Sequence, residues 1–216
     1  MNQETIDGKL LFAKTALENA KNVKQVSENL VLFGYDGAKL DEGLALYSKT
    51  NELNQNQKKE YGEQYQATDA LNVVRADLKA QYMRHLKIAR IAMKNNRGAE
   101  ESMQMGGRRK ESLSGFLTQA AAFYTNALND AAVQEALARF NVTKAALKDG
   151  KAKVEEVQAS YNAQLKEMGE AQQATKDRDA ALDELNEWMA DFIAIVRIAL
   201  EGQPQYLEVL GIVVAV

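Results

Sequence analysis

Shifted by 107 residues, the chain matches itself: residues 4–94 fall on 111–201 without a gap. Gly8 meets Gly115, Asn19 meets Asn126, Phe33 meets Phe140, Gly43 meets Gly150, Leu78 meets Leu185 and Arg90 meets Arg197. The longest shared patterns are E-x-G-E-x-x-Q-A-T at 60–68 and 167–175, and I-x-R-I-A at 88–92 and 195–199. Solenoids stack many units of roughly 20–45 residues, so a long period that occurs only twice describes something else. It implies two homologous halves, 1–94 and 111–202, paired about a pseudo-two-fold axis, with a linker at 95–110 and a C-terminal segment at 203–216.

Each half reads as helical. The chain holds one proline in 216 residues and is rich in Ala, Leu, Glu, Lys and Gln, a composition that favours long helices over a turn-rich β fold. Residues 33–40, FGYDGAKL, and 140–147, FNVTKAAL, share few letters but one design. Gly34 and Asn141 are the residue types that most readily take the left-handed conformation that ends a helix. Asp36 and Thr143 are good N-caps. From those caps Leu40 and Leu147 fall at N4, and Tyr35 and Val142 at N′, the spacing of a hydrophobic staple. Each half is therefore expected to turn a tight helix–turn–helix corner.

Thr5 and Ser112 are expected to cap a first helix, and Asn22 and Asn129 a shorter second one ending at Phe33 and Phe140. The corner then opens segments of nearly 60 residues without proline, about 36–94 and 143–201. Their last thirds carry apolar stripes with spacings of three and four: Leu71, Val74, Leu78, Tyr82, His85 and Ala89 in one, Ala181, Leu185, Met189, Phe192 and Val196 in the other. That spacing is bundle or coiled-coil packing. The middle of each segment is more polar, and Gly62 and Gly169 there are expected to bend the helices or to let them approach closely. Between the halves, 95–111 reads as a linker with two adjacent glycines. Gln203-Pro204 can start a short helix that Gly211 ends, leaving the apolar tail 212–216 to dock on the bundle or on a second copy. The fold class expected is all-α, an elongated antiparallel bundle of long helical hairpins.

Charge and motifs remove several classes of function. The net charge is −3 with both signs interspersed, which implies no strong field for nucleic acid or a membrane, and no nucleic-acid partner is expected. The absence of cysteine excludes disulfides, thiol catalysis and cysteine-held metals. The N-terminus lacks a basic region followed by a long apolar one, and no run nears the roughly 18 apolar residues of a membrane span. A cytoplasmic protein is expected.

Ferritin-like di-iron sites need Glu-x-x-His on two helices, but the one histidine, His85, follows Tyr82 at that spacing and aligns with Phe192 on the stripe. It reads as a bundle residue at a partly wet layer. No zinc motif and no glycine-rich phosphate loop is present, so no cofactor is expected. The run Arg108-Arg109-Lys110 reads as part of a solvated linker. The repeated acids Glu60, Glu63, Glu167 and Glu170 are the one metal candidate, set against an exposed polar helix face. Arg90 and Arg197 are expected to lay their stems on the bundle and reach an acid.

The RIAL…QPQYLEVLGI ending at 197–212, the glycine-staple corner and the duplicated halves resemble an uncharacterised family of bacterial all-helical proteins. The resemblance implies an all-helical fold and carries no activity with it. The functional expectation is a non-enzymatic structural or protein-interaction bundle that binds a protein partner or itself. The alternatives are a small-molecule or lipid carrier with an apolar cavity between the halves and, further back, a cation-binding protein using the glutamates.

Overall fold

The computed structural model describes residues 5–213. Among them the chain forms eight helices and no strand: α1 (Ile6–Asn22), α2 (Lys24–Val31), α3 (Gly37–Ala92), α4 (Arg97–Ser102), α5 (Leu113–Asn129), α6 (Ala131–Ala138), α7 (Lys144–Ala199) and α8 (Gln205–Val209). The first and fifth helices have 17 residues each, the second and sixth 8, the third and seventh 56. The members of each pair start 107 residues apart. No described helix is long and apolar enough to cross a membrane.

The first helices start as expected. Thr5 Oγ1 accepts from the amide of Gly8 at 3.1 Å, and Ser112 Oγ from that of Gly115 at 3.2 Å. The second helices start one residue later than expected. Asn22 and Asn129 are the last residues of α1 and α5, and the caps are Val23 and Asp130. Val23 still donates its amide to Asn19 O at 2.9 Å, so a single extended residue both closes α1 and opens α2. Only Asp130 caps with its side chain, accepting from the amides of Ala132 and Val133. α2 and α6 end at Val31 and Ala138, and Phe33 and Phe140 belong to the turns.

The chain divides into two compact units, Met1–Tyr61 with Glu170–Val216, and Gly62–Gly169. These units cut across the halves read from the sequence, because each takes part of both. The first unit joins α1, α2, the 37–61 stretch of α3, the 170–199 stretch of α7, and α8. Leu10, Leu17, Leu30, Leu40, Leu185 and Phe192 form its core. There Thr50 Oγ1 donates to Leu46 O and serves Ala181 O at 3.0 Å, while Lys49 pairs with Glu184 at 2.8 Å. Asp7 near the start of α1 accepts from Asn54 Nδ2 at 3.1 Å and Lys58 Nζ at 3.2 Å, fixing that end of the helix to α3.

The second unit joins the 62–92 stretch of α3, α4, α5, α6 and the 144–169 stretch of α7. Its core is built on Leu78, Tyr82, Leu86, Phe123, Tyr124 and Leu147. Gln164 bonds Thr68 at 3.1 Å, Lys153 pairs with Asp77 at 2.7 Å, and Gln81 reaches Asp149 at 2.9 Å, so α3 and α7 run antiparallel there. The residues of both apolar stripes are buried or half-buried in their respective units.

The segment 95–110, expected as a linker, is more structured than a solvated connection. It contains α4, and Met103 and Met105 are buried in the second unit's core. Gln104, at φ +50°, makes the turn between them, and Met105 donates its amide back to Glu100 O at 3.0 Å. The C-terminal segment repeats this geometry. Gly211 sits at φ +74°, Ile212 donates to Leu207 O at 2.9 Å, and Ile212 is buried in the first unit's core. Of the tail read as 212–216, Val213 is exposed, and 214–216 lie outside the described residues.

Candidate functional site

The two corners have the same backbone. Gly34 sits at φ +83° and Asn141 at φ +61°. Tyr35 donates to Leu30 O, and Val142 to Leu137 O, each at 3.1 Å, which closes α2 and α6 in the six-to-one pattern of a Schellman motif. Asp36 Oδ1 accepts from Lys39 N at 2.9 Å and Thr143 Oγ1 from Ala146 N at 3.2 Å, capping the long helices. Tyr35, Leu40, Val142 and Leu147 are buried, as the staple spacing requires.

The same turn that buries the staple drives its neighbours outward. Phe33 is 44% exposed and Phe140 48%, although burying either ring would remove a large apolar surface from water. Beside Phe33, Val31 is exposed and Leu32 is 79% exposed. At the far ends of the long helices, Ile91 and Ile198 are also exposed. Phe33 with Phe140, and Ile91 with Ile198, are the large apolar side chains left to solvent at matching places.

The one histidine lies in the second unit's aromatic layer. His85 is 7% exposed, and its Nδ1 is 3.3 Å from the hydroxyl of Tyr124, whose ring meets the imidazole edge-on. Burial holds the imidazole below its ordinary pKa, and Arg84 adds to this, so the ring is neutral at pH 7. Burial likewise keeps the Tyr124 hydroxyl protonated, pushing its pKa well above the usual tyrosine range. Tyr82 passes its hydroxyl to Arg109, which donates to it at 2.8 Å. Two neutral groups that satisfy each other stabilise a layer.

The repeated acids are divided between the units. Glu60 and Glu170 belong to the first, where their carboxylate oxygens come within 4.8 Å of one another. Glu63 and Glu167 belong to the second. Lys59 lies 3.7 Å from Glu60, and Lys166 lies 3.6 Å from Glu167.

Gly62 and Gly169 neither break their helices nor mark a close approach. α3 and α7 run through them, and an added Cβ would meet no atom within 4 Å at either place. Close approach at both members of a repeated pair occurs at Gly43 and Gly150. A Cβ on Gly43 would lie 2.6 Å from the ring of Trp188, and one on Gly150 would lie 2.2 Å from the ring of Tyr124. Arg90 does not reach an acid: its Nε donates to Met105 O at 2.8 Å, pinning the turn after α4, while Arg197 is exposed. Sequence reasoning did not find that turn, although Met103 and Met105 are apolar signals within an otherwise polar stretch.

Compared with family models, with curated proteins and with solved structures, the chain matches none. What can be said of its function rests on its own residues.

Proposed function

We propose that this chain is a non-enzymatic, structural or protein-interaction bundle made of two homologous halves related by a pseudo-two-fold axis. The equal lengths and common 107-residue spacing of the helices support the duplication, together with the matched Schellman corners. The observation that carries the interaction reading is the exposure of Phe33 and Phe140 at those corners, with Leu32 beside the first. A corner built only to reverse the chain has no need of an aromatic ring in water. A ring there is an anchor of the kind that dominates protein interfaces. The reading includes a cytoplasmic setting.

The test is light scattering of the purified protein across a wide concentration range, followed by pull-down from the source cell with wild type and with Phe33→Ser/Phe140→Ser. Mass that rises with concentration, or a specific partner retained by wild type alone, supports the proposal. A monomer with the same retained proteins as the double variant overturns it.

A further inference from the structure

One groove of the second unit is cationic. Arg75 and Lys79 on α3 face Arg108, Arg109 and Lys110 of the segment leading into α5, around an open space of about 450 Å³. Glu111 is the single carboxylate in the lining, and it is engaged by Arg108. Gathering five cations is electrostatically costly, and it occurs here in a chain whose net charge is −3.

Arg109 is held in place without a counter-charge. It donates to the Tyr82 hydroxyl at 2.8 Å and to Gln104 O at 2.7 Å, and also to Gly106 O. Gly107 O accepts from the guanidinium as well, at 3.3 Å, so its terminal N–H groups are all engaged by dipoles, which orient the group without neutralising its charge. Its Nε is buried and has no hydrogen-bond partner. Arg75 is fixed in the same way, by the backbone carbonyl of Glu111 at 3.1 Å. No carboxylate lies within ion-pair distance of Arg75, Lys79, Arg109 or Lys110 among the described residues.

The first unit provides an internal comparison. The positions 107 residues beyond Arg75, Lys79 and Met83 are Leu182, Asn186 and Ala190, and the position 107 before Phe116 is Lys9. Asn186, Ala190 and Lys9 line a smaller groove of about 200 Å³ in that unit, with no arginine. Helix packing at this place therefore does not require the cations of the second unit.

We infer that the groove binds a small organophosphate. Arg75, with donors left beyond its one bond to Glu111 O, and the Lys79 and Lys110 ammoniums offer charged donors to a phosphoryl group, and the uncompensated charge of Arg109 adds attraction beyond what a lone carboxylate would use. Met83 and Phe116 complete the lining and offer an apolar wall to the organic part of the ligand. The volume suits a small ligand. It is not the surface of a long polyanion, because the cations converge on one concavity.

The probes are phenyl phosphate, inorganic phosphate and phenol, titrated by calorimetry at low salt. Phenyl phosphate is expected to bind saturably at one site, more tightly than inorganic phosphate, with phenol silent. Arg75→Leu/Lys79→Asn installs the residues of the first unit, and each lost charge-assisted bond should weaken binding roughly tenfold or more. Lys79→Asn alone changes one exposed side chain and keeps the test open if the double variant does not fold. No saturation by phenyl phosphate, equal binding by the Lys79→Asn variant, or binding of a single-stranded oligonucleotide alone overturns the inference.

Discussion

The side-chain amide of Asn126 donates to the backbone carbonyl of Ser102 at 2.7 Å, closing the C-terminal end of α4. Asn19, 107 residues earlier, does the same for Val209 at the end of α8, also at 2.7 Å. Each bond ties a 17-residue helix to a short one, and each satisfies a carbonyl that a helix end leaves without a partner. Asn126→Ala should therefore cost about 0.5–1.5 kcal/mol. Asn126→Asp should cost more, because it places a negative charge at the negative end of a helix. Urea midpoints for the two variants and wild type would check the order; an aspartate variant as stable as wild type would count against the bond.

The glycines separate by role. At Gly150 an alanine methyl would overlap the Tyr124 ring, and at Gly43 it would press on Trp188. Overpacking of this kind costs about 1–3 kcal/mol. Gly62→Ala and Gly169→Ala meet open space in a helix interior and should stabilise by about 0.5–1 kcal/mol each. Thermal melts of the four single variants should show two falls and two rises.

His85 should make the protein sensitive to acid. Its pKa is lowered in the folded chain, chiefly by burial, from an ordinary value of 6.5. Below that value the unfolded chain binds a proton that the folded chain resists, so stability is fully present above pH 6.5 and falls as the pH drops through the folded pKa. His85→Phe, which borrows the residue at the matching position 192, removes the titration. Denaturation at pH 7.5 and pH 5 should show a smaller acid loss in the variant than in wild type.

The corners can be tested in the backbone. Gly34→Ala places a Cβ at φ +83° and should cost about 1–2 kcal/mol, whereas Asn141→Gly relieves the left-handed position and should be near neutral. Thr143→Ala removes the cap of α7 and should cost about 1 kcal/mol. Equal effects of Gly34→Ala and Asn141→Gly would contradict the shared turn.

Much of the fold was legible because its signals are local. The caps at Thr5, Ser112, Asp36 and Thr143, the left-handed Gly34 and Asn141, and the apolar stripes each follow from a few neighbouring letters. Other features depend on partners far along the chain. Nothing near Gly43 announces Trp188, and nothing near Asn126 announces Ser102. The same distance effect hid α4: the buried methionines that follow it lie among glycines and charges that read as a linker when their core, built from Leu71 to Val157, is out of view. Of the candidate residues, the glutamates were visible as a repeated pattern, but pattern alone could not assign them to separate units. The arginines of the cationic groove were legible only as a short basic run, because Arg75 joins them from another helix.

The division of the chain into 62–169 and the two flanking pieces has a consequence for how the protein is made. A ribosome delivers residues in order. The second unit can close its core once Val157 and its neighbours have emerged, from one continuous stretch of chain. The first unit is delivered in two instalments. Leu10, Leu17, Leu30 and Leu40 appear early, but Leu185, Phe192 and Ile212, which cover them, come last. During synthesis those early side chains must wait, exposed, while a complete neighbour is built between them and their partners, and chaperones have most to protect there.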